Sequence, residues 1–184
     1  YVSILDGHGT RHICKILTVH KQAITVENIK EESYSSESPI SITLIQGLTK
    51  GDKMDLIIQK STELGVNKII PLITERSQIR ITDKISRWRK IARSASQQSG
   101  REIVPEIVEP IDFKKFYDTQ SCGLEDFESL KLLLSESCED RNLKQVLNNC
   151  HKTKNIIILV GPEGGFSKYE ISLTVAKGFT EVSL

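Results

Sequence analysis

The 184-residue chain has no hydrophobic run that could cross a membrane. Its longest unbroken apolar segment is Ile156-Ile157-Ile158-Leu159-Val160, against the roughly 18 or more residues of a membrane helix. Tyr1-Val2-Ser3-Ile4 has no basic start, so no signal peptide is expected in this stretch. No initiator Met is present either, so the expectation is that the true N-terminus lies upstream. The four cysteines (Cys14, Cys122, Cys138, Cys150) form no C-x-x-C pair, and His8, His12, His20 and His151 stand at no zinc-ligand spacing from them. That pattern argues against a metal site and for reduced structural thiols in a cytoplasmic protein. Aromatics are scarce, at 5% with a single tryptophan, so base stacking is not the visible mode of any nucleic-acid contact. Internal repeats are absent. A formal net charge of +1 argues against a wholesale polyanion binder.

What the chain does contain is unevenly distributed. From Arg76 to Arg101 there are eight basic residues (Arg76, Arg80, Lys84, Arg87, Arg89, Lys90, Arg93, Arg101) and one acidic residue, Asp83. From Glu102 to Asp140 there are eleven acidic residues and three basic ones. A basic band of this kind is the footprint of phosphate binding. Arg76, Arg80, Arg87, Lys90, Arg93 and Arg101 are the candidate RNA contacts, whereas Trp88 falls on the apolar side of the same segment.

Alternation and β-branched residues predict strands at Val2–Leu5, His12–Leu17 and Ile24–Ile29, with a Gly-rich turn at Asp6-Gly7-His8-Gly9. Three strands leave open edges that need partners, and the expectation is part of a small barrel. Glu31 to Pro39 is polar, Ser-rich and without apolar period, and reads as a linker.

Beyond it the pattern turns to strand–helix alternation. Strands are expected at Ile40–Ile45, Lys68–Ile73, Val104–Val108, Leu130–Leu134, Ile156–Val160 and Thr180–Leu184. Pro71 would suit an edge or a strand end. Helices are expected from Lys53 to Leu64 behind Asp52, along Lys84–Ser99 behind Asp83 with Gly100 as its stop, at Ile111–Tyr117, weakly at Leu143–Leu147, and after Ser167. Ser167 and Glu170 have the spacing of a capping box, and Gly178 stops that last helix. Six strands with helical crossovers imply an α/β fold with a mainly parallel sheet.

The sharpest motif is Val160-Gly161-Pro162-Glu163-Gly164-Gly165-Phe166-Ser167. A buried strand runs into a Gly-rich loop and a capped helix follows. Ligands of open α/β sheets collect at the carboxyl ends of strands, and glycines let bare backbone N–H and C=O groups reach a ligand. The loop lacks the Lys of a P-loop and does not follow the dinucleotide spacing. Glu163 within it disfavours a phosphate, while an adenosine edge with a cationic sulfonium suits that setting, which permits S-adenosylmethionine. Gln59 and Glu63 read as i, i+4 partners on a solvated helix face.

Together these segments resemble one family. Ser38-Pro39-Ile40, Lys50-Gly51-Asp52-Lys53-Met54-Asp55 and Gln59-Lys60-Ser61-Thr62-Glu63-Leu64-Gly65-Val66 look like the start of the catalytic domain in the ribosomal RNA small subunit methyltransferase E family. Pro71-Leu72-Ile73-Thr74-Glu75-Arg76-Ser77, Arg87-Trp88-Arg89-Lys90-Ile91-Ala92-Arg93, Gln97-Gln98-Ser99-Gly100-Arg101, Val104-Pro105-Glu106-Ile107 and Gly161 to Ser167 continue the resemblance in order.

The resemblance implies a SPOUT-type mainly parallel sheet at 37–184, preceded at 1–36 by part of an RNA-binding PUA-like β-barrel. It implies S-adenosylmethionine as cofactor, N3 of a uridine in 16S rRNA of the small ribosomal subunit as target, and a homodimer with a trefoil-knotted tail. The family carries further barrel strands before Tyr1 and an Arg-rich loop after Leu184, so the expectation is a chain cut at both ends, lacking the knot segment and impaired in activity. By the same resemblance, cofactor contacts fall on Leu134, Ser135, Leu159, Val160, Gly161, Pro162, Glu163, Gly164, Gly165 and Leu184.

Methylating N3 requires loss of its proton, so a base or a cation facing the N3/O4 anion is needed. Glu163, the one carboxylate of the motif, is the candidate base or ribose ligand. Arg76 and Arg101 are the candidates for positioning phosphate or base. A non-catalytic RNA-binding protein of the same fold, and a nucleotide-dependent enzyme, stand as the alternatives.

Overall fold

The computed structural model describes residues 1–32, 37–118, 129–136, 138, 141–148 and 153–183. Strands β1 (Val2–Leu5), β2 (Arg11–Val19) and β3 (Ile24–Glu32) form an antiparallel sheet in the order β1-β2-β3. The Asp6 carboxylate organises the β1–β2 turn by accepting the backbone N–H groups of His8 and Thr10, and these bonds hold its pKa below the ordinary value. The sequence predicts these three strands as part of a small barrel and not as a closed one. The described strands make an open sheet on which Leu17, Val19, Ile24 and Ile29 are exposed. Closure needs more strands with a consistent stagger than three can supply.

The rest of the chain builds a seven-stranded sheet. Its elements are β4 (Ser41–Gly47), α1 (Lys53–Glu63), β5 (Lys68–Ile73), α2 (Ile85–Ser99), β6 (Glu106–Ile107), β7 (Ile111–Asp112), α3 (Phe113–Asp118), β8 (Leu130–Leu134), α4 (Leu143–Asn148), β9 (Asn155–Val160), α5 (Lys168–Ala176) and β10 (Thr180–Val182). The strand order is β10-β8-β9-β4-β5-β6, with β7 also on β5, and every pairing is parallel. Both faces of such a sheet are covered, so its strands read as continuous apolar runs.

Successive residues of one strand serve opposite cores. Leu44 and Ile69 pack with Met54, Ile58, Trp88 and Ala92 beneath α1 and α2. Ile45 and Ile70 pack with Phe113, Phe116, Leu133, Leu159 and Phe166 beneath α3 and α5. Each fully buried Leu, Ile or Phe contributes about 1.5–3 kcal/mol through its apolar area.

Local expectations fare unevenly. Ile111–Asp112, expected as the start of a helix, is a strand pairing with Leu72 and Ile73. Pro71 lies in an interior strand, bonded to β4 on one side, and falls between the stretch of β5 that pairs β6 and the stretch that pairs β7. The neighbouring strand is broken there, so the missing N–H has no ladder partner to lose. Asp52 precedes α1 but makes no side-chain cap. The residue flanking α2 is Lys84, not Asp83, and it too makes no side-chain cap. The capping box at Ser167 and Glu170 is present as expected, and Gly100 ends α2 with φ of 71°.

Candidate active site

The chain leaves β4 toward β5 on one side of the sheet, through α1 on one face. It leaves β9 toward β10 on the other side, through α5 on the opposite face. Neighbouring strands whose loops diverge in this way create a crevice at their carboxyl ends. There the Gly-rich loop following β9 walls a cavity of about 780 Å³. The end of β8 supplies Leu134, Ser135 and Glu136, the residue after β10 supplies Ser183, and α5 supplies Lys168 and Ile171.

The loop is held in place by its neighbours. Gln46, at the end of β4 and 4% exposed, donates from Nε2 to the carbonyls of Gly47 and Gly161 at 3.0 and 3.1 Å. At Gly47 the backbone of β4 passes so close to the loop that an added Cβ would stand 2.5 Å from Pro162 Cδ and 2.6 Å from its nitrogen. Gly165 adopts φ of 66°, the left-handed region that favours glycine, and its N–H donates to the Pro162 carbonyl at 2.8 Å. Arg76, in the turn after β5, donates from Nη1 to the Gly164 carbonyl at 2.8 Å. Glu170, 3% exposed, accepts the N–H groups of Ser167 and Glu75, joining the start of α5 to that same turn.

Glu163 faces the α1 side. Its carboxylate pairs with Lys53 Nζ at 2.9 Å and accepts the Lys50 N–H at 3.2 Å. The hydrogen bond from Lys53 is the leading reason its pKa lies below the ordinary carboxylate value. A carboxylate held in this way is a poorer proton acceptor than a free one, and its evident work is tying the β9–α5 loop to the loop after β4.

Of the expected cofactor contacts, Leu134, Ser135, Val160, Gly161, Pro162, Glu163, Gly164 and Gly165 converge on the cavity. Leu159 does not line it, being wholly buried in the core beneath α5. Leu184 lies outside the described residues. Gln46 and Gly47 escaped the sequence reading because they act on the loop more than 100 residues away, and so did the bond between Glu170 and the Glu75 N–H, though not Glu170 itself.

The basic band divides. Arg76 sits at the cavity. Arg80 donates to the Glu75 carbonyl at 2.9 Å, and Arg87 pairs with Asp55 at 2.6 Å. Lys90 and Arg93 are exposed on α2. Arg101 departs from its expected role. It is 8% exposed, paired with Glu37 at 2.7 Å, and donates to the carbonyls of Thr62 and Val66. Its donors are satisfied inside the fold, so it clamps the start of the parallel sheet rather than offering charge to RNA. Glu37, read as linker, is its buried partner. Glu63 bonds chiefly to Lys60, at 2.8 Å, and secondarily to Gln59.

With this geometry in hand, the chain finds clear relatives. A model of the RNA methyltransferase domain matches residues 36–184. The chain is 33% identical to the ribosomal RNA small subunit methyltransferase E of Synechocystis, over 98% of this chain and 58% of that protein. With the Bacillus subtilis protein of the same name it shares 31% identity, over 95% of this chain and 70% of that one. Its fold is similar to that of a crystallised ribosomal RNA small subunit methyltransferase E from Neisseria gonorrhoeae bound to S-adenosyl methionine, with 34% identity and a TM-score of 0.86, covering 100% of this chain and 73% of that one. The chain thus spans somewhat more than half of the Synechocystis relative and under three quarters of the other two.

Proposed function

The chain belongs to the ribosomal RNA small subunit methyltransferase E family, and from that premise we propose that it transfers a methyl group from S-adenosylmethionine to ribosomal RNA of the small subunit. The observation that carries the reading is the cavity at the carboxyl ends of β8, β9 and β10, walled by loop backbone. Its volume of about 780 Å³ falls within the roughly 300–1,000 Å³ of small-molecule sites. Missing side chains at Gly161 and Gly164 leave main chain to form the wall, which suits recognition of an adenosine edge by backbone groups.

When bound, S-adenosylmethionine supplies an electrophilic methyl on a sulfonium. Leu134, Ser135 and Val160 to Gly165 are the residues that would hold it. Arg80, Lys90 and Arg93 offer exposed charge for RNA phosphates, with Arg87 contributing from its pair with Asp55. The finer reading has four parts: methylation at N3 of a 16S uridine, a SPOUT-type knotted tail, a PUA-like RNA-binding N-terminal unit spanning 1–36, and a homodimeric assembly.

Glu163 enters either as the acceptor of the N3 proton or as the residue that sets the loop. The two roles separate by substitution. If it is the base, Glu163→Gln stops turnover with cofactor affinity intact, and Lys53→Met, which frees the carboxylate, does not. If it sets the loop, both variants weaken cofactor binding several-fold.

Calorimetry with S-adenosylmethionine tests the core of the proposal, and absence of binding would favour a non-catalytic RNA-binding protein. Mass mapping of 16S rRNA from cells lacking the gene tests the target: loss of one methyl on one uridine is the expected result.

A further inference from the structure

The turn after β5 is fixed more heavily than a strand-to-helix connection requires. Thr74 and Ser77 are buried at 1% and 5% exposure. The Thr74 N–H donates to Ser77 Oγ at 3.0 Å, the two hydroxyls share a bond of 3.0 Å, and the Ser77 N–H donates to the Thr74 carbonyl at 3.2 Å. Glu75, between them, is gripped from both sides. Its N–H donates to Glu170 Oε1 at 2.8 Å, and its carbonyl accepts Arg80 Nη2 at 2.9 Å.

What this framework holds still is Arg76. The aliphatic stem of Arg76 lies against Gly164, where an added Cβ would stand 3.4 Å from Arg76 Cβ and 3.6 Å from Cδ. Nη1 takes the Gly164 carbonyl at 2.8 Å, and Arg76 makes no other side-chain bond among the described residues. A guanidinium carries five N–H donors in a planar fork, so this exposed side chain, which lines the cavity, keeps donors beyond the one given to Gly164. Among the arginines of that band, Arg76 lines the cavity wall.

We propose that Arg76 is a positioning residue that couples RNA docking to the methyl-donor loop: one arm of its guanidinium fixes the Gly164 carbonyl while the other donors take an RNA phosphate. This rests on the proposed function. Whichever ligand arrives first orders the arrangement that the second needs, and thermodynamic linkage makes the effect equal in both directions. A planar guanidinium presents donors in fixed diverging directions that can bridge carbonyl and phosphate, whereas the compact, freely rotating ammonium of a lysine lacks that geometry.

The test compares the wild type with Arg76→Ala and Arg76→Lys. Calorimetry gives the S-adenosylmethionine Kd with and without small ribosomal subunits from cells lacking the enzyme, and hydrogen exchange follows residues 160–167. In the wild type, bound subunits are expected to tighten cofactor binding about 5-fold or more and to slow exchange in the loop. Arg76→Lys is expected to bind the subunits within a few-fold of wild type but to lose the tightening, and Arg76→Ala to lose both. The proposal is overturned if Arg76→Lys keeps the full tightening, if the variants weaken cofactor affinity equally with and without RNA, or if the wild type binds both ligands independently. A wild-type protein that binds no S-adenosylmethionine under any condition overturns the functional reading itself.

Discussion

Gly47 and Arg101 show how much single side chains decide in this protein. At Gly47 one methyl group would collide with Pro162 backbone at 2.6 Å, and backbone cannot rotate aside as a side chain can. Gly47→Ala is expected to cost about 1–3 kcal/mol by overpacking and to weaken S-adenosylmethionine binding by shifting the loop. Urea denaturation with calorimetry checks both, and unchanged affinity would disconnect Gly47 from the site. Arg101→Ala strands the buried Glu37 carboxylate, which also accepts the N–H groups of Glu102 and Ile103. Breaking a buried pair in this way costs about 3–5 kcal/mol, so a large loss of stability is expected in urea.

The pH dependence follows from Glu37. Burial opposes its ionisation, but the bonds from Arg101, Ile103 and Glu102 prevail and lower its pKa. A carboxyl group with a depressed folded pKa contributes stability above its unfolded pKa of about 4.3 and loses it as pH falls through the folded value. Wild-type stability therefore declines on acidification below that range, and Arg101→Ala flattens the decline.

Among the elements, α5 carries both a local and a long-range anchor. Ser167→Ala removes the acceptor for the Glu170 N–H, a loss of about 0.5–2 kcal/mol. Glu170→Ala releases two N–H groups from different elements, a buried one at Ser167 and a part-buried one at Glu75, and is expected to cost more, since an unsatisfied buried donor alone is worth about 1–3 kcal/mol. Hydrogen exchange distinguishes them: Ser167→Ala loosens the first turn of α5, while Glu170→Ala also loosens the turn at 74–77. The capping box was legible in sequence because it needs only residues three apart. The bond from Glu170 to Glu75 spans 95 positions, and no local pattern announces it. Pro71 misled for a related reason, since its place in an interior strand depends on a gap in the neighbouring strand.

At the scale of the whole molecule, the N-terminal sheet is joined to the parallel sheet around Glu102. The Gly9 N–H donates to the Glu102 carbonyl and the Val104 N–H to that of Gly7, both at 3.1 Å. The Glu102 side chain is wholly buried, faces Arg11 Nε at 3.4 Å, and its oxygens make no hydrogen bond among the described residues. Arg11→Ala leaves that carboxylate without its counter-charge and is expected to cost on the order of 3 kcal/mol. Arg11→Ala with Glu102→Gln is expected to recover part of the loss, and a double variant less stable than the single would refute this account of the joint.

The sequence by itself determined the parallel α/β class, the strand cores at Lys68–Ile73, Leu130–Leu134 and Ile156–Val160, and the Gly-rich loop, while Leu134 and Ser135 of the cavity wall came from the family resemblance. Periodicity, capping and glycine content act over a few residues and are written locally. Tertiary structure decided that Arg101 is buried, that Glu163 belongs to Lys53, that Gln46 and Gly47 clasp the loop, and that Arg76 leaves the basic band for the cavity. Each of those depends on which strands become neighbours, and a charge or a glycine acquires its partner only when the sheet brings distant segments within bonding distance.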